Sequence, residues 1–198
     1  MSVKILGVSG GLRDRSYTAT LVKTVLDEAR RLGAEVQLLD LREVPLPLYE
    51  AHQDYDSNPN VDRVIELARW ADGFVVGSPE YHGCMSGAMK NYFDFLYREI
   101  AGKLFGLVAA TGGSQGLGCF HNMRAAIQFC HGWALPYHTA VSGKSFDVDG
   151  NLVDERALDR LKRTARDLVV YAPLLYNRFK EDLAQPEGEP HGFAHWMA

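Results

Sequence analysis

Three short apolar runs, VKILGV at residues 3–8, GFVVGS at 73–78 and KLFGLVAATGG at 103–113, each end in glycine, serine or threonine and each lead toward an amphipathic stretch. An apolar run of this length without polar alternation reads as a strand buried on both faces, the kind found in parallel sheets with helices on either side. Helical spacing runs from about Tyr17 to Leu32, with Leu21, Val22, Val25, Leu26 and Ala29 on one face and Gly33 as a stop. AEVQLLD at 34–40 is a second strand, and a long loop with three prolines leads to a helix from about Pro59 to Ala71. Further helices are expected from the Gly87 region to about Ile100, from Leu117 to Gly132 and from Asp154 to Asp182, with LPYHTAVSG as a fifth strand and a hairpin-like DVDGN turn before the last helix.

Strands alternating with helices over 198 residues fit one doubly wound domain. The expected architecture is α/β, a flavodoxin-like three-layer sandwich around a five-stranded parallel sheet in the order 2-1-3-4-5. Residues 1–182 form the domain, and 183–198 a tail whose apolar tip, Phe193, Trp196 and Met197, is expected to pack on its own or a neighbouring subunit.

Charge and cysteine usage exclude several classes. The net charge is −4 with no block of five like charges, so neither nucleic acid nor another polyanion is an expected partner. Arg30 and Arg31, and Arg160, Lys162, Arg163 and Arg166, fall on helix surfaces and read as solvated faces. Cys84, Cys119 and Cys130 lack the spacing of a zinc or iron–sulfur site. The apolar run at the N-terminus is too short for a signal segment or membrane span, which makes the cytoplasm the expected compartment and a membrane an unexpected partner.

Chemistry concentrates in three loops. In an open parallel sheet, ligands collect outside the carboxyl ends of the strands where strand order reverses, and the loops after strands one and three flank that point. The first, SGGLRDRSYT at 9–18, joins a strand to a helix start. Ser9, Ser16, Tyr17, Thr18 and Arg13 there suit a phosphate, by hydroxyl donors, free helix amides and a guanidinium fork. The second, SPEYHGCMSGAMKN at 78–91, is a shelf: Pro79 fixes its own φ, and Gly83 and Gly87 let backbone amides face a flat heterocycle. The third, TGGSQGLG at 111–118, can close over a ring.

In order and spacing these loops resemble the NADPH-dependent FMN reductase family, a flavodoxin-like group of flavin, quinone, azo-dye and arsenical-resistance reductases. The family's first loop, roughly G-S-x-R-x-x-S-x-N/T, aligns Arg13, Ser16 and Thr18 with phosphate-binding positions. Its P-E-Y-N-G-S-x-P-G-x-L-K-N shelf matches at Pro79, Glu80, Tyr81, Gly83, Gly87, Lys90 and Asn91, and its T-G-G turn at Thr111, Gly112 and Gly113, with Ser114 next. Gly11 stands where the family usually has serine, which is expected to weaken FMN retention. His82 stands in place of Asn, Cys84 in place of Ser and Ser86 in place of Pro. The residues leave open whether His82 bonds the flavin edge, responds to pH or is merely structural.

The resemblance implies FMN and NADPH or NADH as cofactors, and a homodimer or homotetramer. A hydride passes from NAD(P)H to flavin N5 and its electrons then go to a small-molecule acceptor: a flavin, quinone, azo compound or oxyanion. Because the flavin carries that chemistry, no catalytic side chain and no metal site are expected. Two other readings share the fold: a flavodoxin-type electron carrier, which would show a T/S-x-T-G-x-T phosphate loop and a more acidic surface, and a non-catalytic flavin-binding protein.

Overall fold

The computed structural model describes residues 2–185 and 192–197; the expected tail packing is therefore described only for its last residues, since 186–191 and 198 lie outside the described residues. Strands β1 (Lys4–Ser9), β2 (Glu35–Asp40), β3 (Gly73–Pro79), β4 (Leu104–Thr111), β5 (Trp133–Ala134) and β6 (Thr139–Ser142) form one parallel sheet in the order β2-β1-β3-β4-β5, with β6 also on β4. Helices α1 (Tyr17–Arg31) and α5 (Glu155–Leu183) cover one face, where Ile5, Val75 and Val108 meet Val22, Val25, Leu161 and Leu168. Helices α2 (Pro59–Trp70), α3 (Gly87–Asp94) and α4 (Leu117–Phe129) cover the other, around Leu6, Val76, Phe105 and Leu107. The three central strands are buried almost throughout, as their uninterrupted apolar runs require, whereas edge strand β2 alternates exposed and half-buried positions from Glu35 to Leu38.

The expected fifth strand is split. Residues 135–138 fill the space that Gly106 and Leu107 span on β4, because β5 pairs Ala134 with Phe105 and β6 resumes with Thr139 opposite Val108. Pro136 has no N–H to give the ladder. Arg124 of α4 occupies the gap: its Nη2 donates to the carbonyls of Leu135 and Tyr137, at 3.1 and 3.3 Å.

Two helices stop earlier than their spacing suggests. α3 ends at Asp94, and only a single 3-10 turn, Arg98–Ile100, follows; the N–H of Tyr97 is taken by the Glu99 carboxylate at 3.1 Å. α4 ends at Phe129 with His131 left-handed at φ 60°, the Gly132 N–H bonding the Ile127 carbonyl and the His131 N–H that of Gln128. This is a Schellman stop with histidine where glycine usually sits, one residue before the glycine in the sequence. The expected hairpin at 147–151 is present, closed by the Phe146–Leu152 bridge and by Asp147 Oδ1 accepting from the amides of Asp149 and Asn151. Near the end of α5, Ala194 and Met197 are buried with Ala101 and Phe179, and Phe193 stacks on Phe179 with centroids 5.3 Å apart.

Candidate functional site: a polar cleft at the carboxyl edge of the sheet

The ends of β1, β3, β4 and β6 open into one cleft of about 480 Å³, within the usual size range of small-molecule sites. Its first wall is the start of α1. Ser16 is extended (φ −77°) and its Oγ accepts the Ala19 N–H at 3.2 Å, so the helix is capped from inside the loop while the amides of Tyr17 and Thr18 keep no intrahelical partner. Arg13 and Arg15 stand on this wall, and Lys144, from the turn after β6, faces it. Three cations, a helix start and the Ser16 and Ser142 hydroxyls make a strongly anion-attracting end, with Glu80 the single carboxylate on the lining among the described residues.

The second wall is the shelf. Pro79, Glu80 and Tyr81 line the cleft, and the chain then reverses through His82 and Gly83, at φ 51° and 76°. Tyr81 and Cys84 exchange both backbone hydrogen bonds, at 3.0 and 2.9 Å, so this is a two-residue reversal with both central residues left-handed, the type I′ geometry that favours Asn-Gly. A side chain at Gly118, in the first turn of α4, would collide with the Gly83 carbonyl oxygen, so the turn rests on that helix. Ser86 then caps α3, accepting the Met89 N–H at 3.2 Å, and its own Oγ donates to the Gly10 carbonyl at 2.9 Å, tying the shelf to the first loop.

The third wall is the turn after β4, where Ala110, Thr111 and Gly112 line the cleft and a side chain at Gly112 would meet nothing within 4 Å. Thr111 Oγ1 donates to the Ser114 carbonyl at 2.9 Å, and Ser114 Oγ donates to the Glu80 carboxylate, which closes the turn against the shelf. Behind the shelf, Cys119 is buried and its thiol is pushed up to about 11 by desolvation, partly offset by a hydrogen bond from Ser78, so it stays protonated at neutral pH.

An anion nest, a rigid backbone shelf and an open backbone turn around one cleft are what a phosphorylated planar cofactor needs. The profile of the NADPH-dependent FMN reductase family matches residues 3–147. The chain belongs to that family. A relative named NAD(P)H-dependent FAD/FMN reductase, from Geobacillus thermodenitrificans, is 32% identical over 171 residues, 84% of this chain and 92% of its own. An NADPH azoreductase from a Bacillus species is 30% identical over 183 residues, 91% and 98% of the two chains. The flavoenzyme FerB, an NAD(P)H:(acceptor) oxidoreductase from Paracoccus denitrificans, superposes with a TM-score of 0.72 at 18% identity over 87% of this chain and 98% of its own, which shows the shared fold. As a member of the family the protein is an NAD(P)H-dependent flavin oxidoreductase, with FMN and NAD(P)H as its cofactors. No helix among the described residues is long and apolar enough to cross a membrane.

The donor set fits FMN. Of the residues expected from the three loops, Arg13, Ser16, Tyr17, Thr18, Pro79, Glu80, Tyr81, Thr111 and Gly112 come together on the cleft. Ser9 does not: it is fully buried at the end of β1, and its hydroxyl has no partner there. His82 and Gly83 form the exposed tip of the type I′ turn instead of lining the cleft, and Gly113 and Ser114 lie in the turn behind it. The residues missed are Gly11, Arg15, Ala110, Ser142, Gly143 and Lys144. Ser142 to Lys144 follow a parallel strand in the same way as the three loops that were recognised, and that position was the available signal. Gly11 has a steric reason: a Cβ there would overlap Ser16 Oγ and lie 3.1 Å from Thr18 Cβ.

Proposed function

We propose that the cleft binds FMN with its phosphate between Arg13, Arg15, Lys144 and the start of α1, and its ring between the Pro79–Tyr81 shelf and the Thr111–Gly112 turn. The observation that carries this reading is the meeting of three cations with a capped helix start at one end of the cleft that also holds the shelf. When bound, FMN supplies the two-electron chemistry between nicotinamide and acceptor. The protein's part is to bind and orient. Arg13, Arg15 and Lys144 neutralise the phosphate dianion, the free amides of Tyr17 and Thr18 bond its oxygens, and the backbone of the shelf holds the polar ring edge. The Gly112 side of the turn leaves room for close approach of the ring.

NADPH or NADH and then a small-molecule acceptor use the open side of the cleft in turn. The acceptor is a flavin in the leading reading; a quinone, azo compound or oxyanion on the same site is the alternative, and a relative named for azo reduction at 30% identity supports it. The flavin-binding domain comprises residues 1–182, with 183–198 as an accessory tail, and the protein works in the cytoplasm as a homodimer or homotetramer. Leu48 at 83% exposure and the Tyr49, Tyr55 and Phe95 rings beside it, with Leu117 on α4, support a subunit contact on the face of α3 and α4.

The test is the visible spectrum of the protein with added FMN before and after anaerobic NADPH or NADH. Bleaching at substoichiometric protein, with an acceptor restoring the colour, is the expected result. Binding without bleaching by either nucleotide makes the protein a carrier, and absence of binding overturns the cleft assignment. Sedimentation velocity reads the oligomer.

A further inference from the structure

A second polar cavity of about 510 Å³ adjoins the flavin cleft. Ser142 lines both. Ser114 and Gln115 of the turn after β4 line it together with Ser145, His138 and Arg160.

Among the described residues its lining carries one cation, Arg160, and one carboxylate, Asp154. Arg160, on α5, is held by a hydrogen bond from Nη2 to the His138 carbonyl at 3.3 Å and has no carboxylate within salt-bridge distance among the described residues. On the same helix Arg163 pairs with Asp159 and Arg166 with Asp167, both at 2.7 Å. Arg160, Lys162, Arg163 and Arg166 are all exposed, as expected of a solvated helix face; Arg160 differs from Arg163 and Arg166 in having no carboxylate partner among the described residues. Arg124, beside His138, also lacks a carboxylate partner, and its Nη1 is buried without a partner, among the described residues. Arg124 Nη2 lies 3.5 Å from His138 Nδ1. A guanidinium only donates, so Nδ1 is the acceptor and Nε2–H is the proton His138 offers. Asp154, the one carboxylate on the lining among the described residues, keeps its charge, but its oxygens already have donors: Oδ1 accepts the amides of Arg156 and Ala157, at 3.0 and 3.1 Å, and Oδ2 accepts Ser145 Oγ at 3.0 Å.

We propose that this cavity is an anion subsite of the reductase, taking the phosphate, sulfonate or carboxylate end of a substrate whose redox-active ring lies in the flavin cleft, with Arg160 as its principal ligand. The inference rests on the flavin reading of the neighbouring cleft. Ser142, common to both cavities, marks where such a molecule crosses from one to the other. Two substrates offer that chemistry: the ribose phosphate that distinguishes NADPH from NADH, and an anionic substituent on the acceptor.

The experiment is steady-state kinetics of the FMN-loaded protein with NADPH and NADH, and with 1,4-naphthoquinone and its 2-sulfonate, for wild type, Arg160→Gln and Arg160→Lys. In Arg160→Gln the KM of one charged member of a pair is expected to rise about ten-fold, the usual scale for one lost charge-assisted contact. Its kcat, the KM of the uncharged counterpart and the FMN affinity stay as in wild type, and Arg160→Lys recovers most of the loss. A rise for NADPH identifies the ribose phosphate; a rise for the sulfonate identifies the acceptor. Unchanged constants in both pairs, or equal changes within each pair, overturn the subsite. If wild type oxidises neither nicotinamide, the flavin reductase reading has failed on its own. Calorimetric titration with the naphthoquinone sulfonate then decides the subsite: binding weakened about ten-fold in Arg160→Gln sustains it, and equal binding overturns it.

Discussion

Ser114 donates its hydroxyl hydrogen to the carboxylate of Glu80, and the Glu80 N–H in turn bonds the Ala110 carbonyl at 2.9 Å. One residue of the shelf thus bonds the end of β4 through its backbone and the turn after β4 through its side chain. The turn itself contains Gly112 and Gly113 and is otherwise held by Thr111 Oγ1 donating to the Ser114 carbonyl. Removing the carboxylate with Glu80→Ala should loosen it and raise the FMN dissociation constant about five-fold, roughly 1 kcal/mol for a half-exposed charged hydrogen bond. Ser114→Ala should do the same, and the double variant no more than either alone, since both remove one interaction. Fluorescence titration of FMN reads all three; additive losses would mean that the two side chains act separately.

The backbone at residue 82 makes a different demand. His82 holds φ 51° at the first central position of a type I′ reversal, where asparagine tolerates the left-handed region better than an imidazole-bearing side chain. His82→Asn is expected to stabilise the protein by about 0.5 kcal/mol, visible as a small rise in Tm, with FMN affinity unchanged because the side chain is at the exposed tip. A loss of FMN binding on this substitution would return His82 to the cofactor site.

Gly11 leads to a prediction opposite to the one its alignment suggests. The resemblance places serine there and implies that adding a hydroxyl would tighten the phosphate site. In this fold a Cβ at residue 11 meets Ser16 Oγ, the atom that caps α1. Gly11→Ser should therefore displace the cap, cost about 1 kcal/mol of stability and weaken FMN binding. Thermal melts and flavin titration check it, and tighter binding at unchanged Tm would show that Ser16 has room to move.

The central strands and the first loop were legible because their signals are local: uninterrupted apolar runs between glycines, and a serine followed by helical spacing. The split of the fifth strand was not, since it depends on Arg124, distant in sequence, supplying donors to the carbonyls around Pro136. The end of α4 was misjudged because a histidine, not the adjacent glycine, takes the left-handed position. In the site, Lys144 escaped notice because its place at the cleft depends on the pairing of the short strand β6 with β4. Ser9 is the converse case: it ends a strand beside the cleft, but its side chain is buried and not on the cleft lining.

Far from the cleft, just before β4, Lys103 is 2% exposed. Its Nζ donates to the Ala68 and Arg69 carbonyls at the end of α2, at 2.7 and 3.3 Å, and lies 4.8 Å from the Tyr176 ring centroid. Desolvation lowers its pKa from 10.5 to about 8, against the opposing pull of Asp72 and Glu99. Between about pH 8 and 10.5 the unfolded chain therefore holds a proton that the folded protein has released, so raising the pH through this window favours folding. Below it both states are protonated and the burial cost stands in full, at most roughly 3 kcal/mol from the gap between the two values. Lys103→Met keeps the apolar stem and removes the titration. Urea midpoints measured from pH 7 to 10 should rise for wild type relative to Lys103→Met, with the two proteins converging at the alkaline end. Parallel profiles would mean that the two carbonyls and the Tyr176 face stabilise the ammonium enough to keep its pKa near the ordinary lysine value.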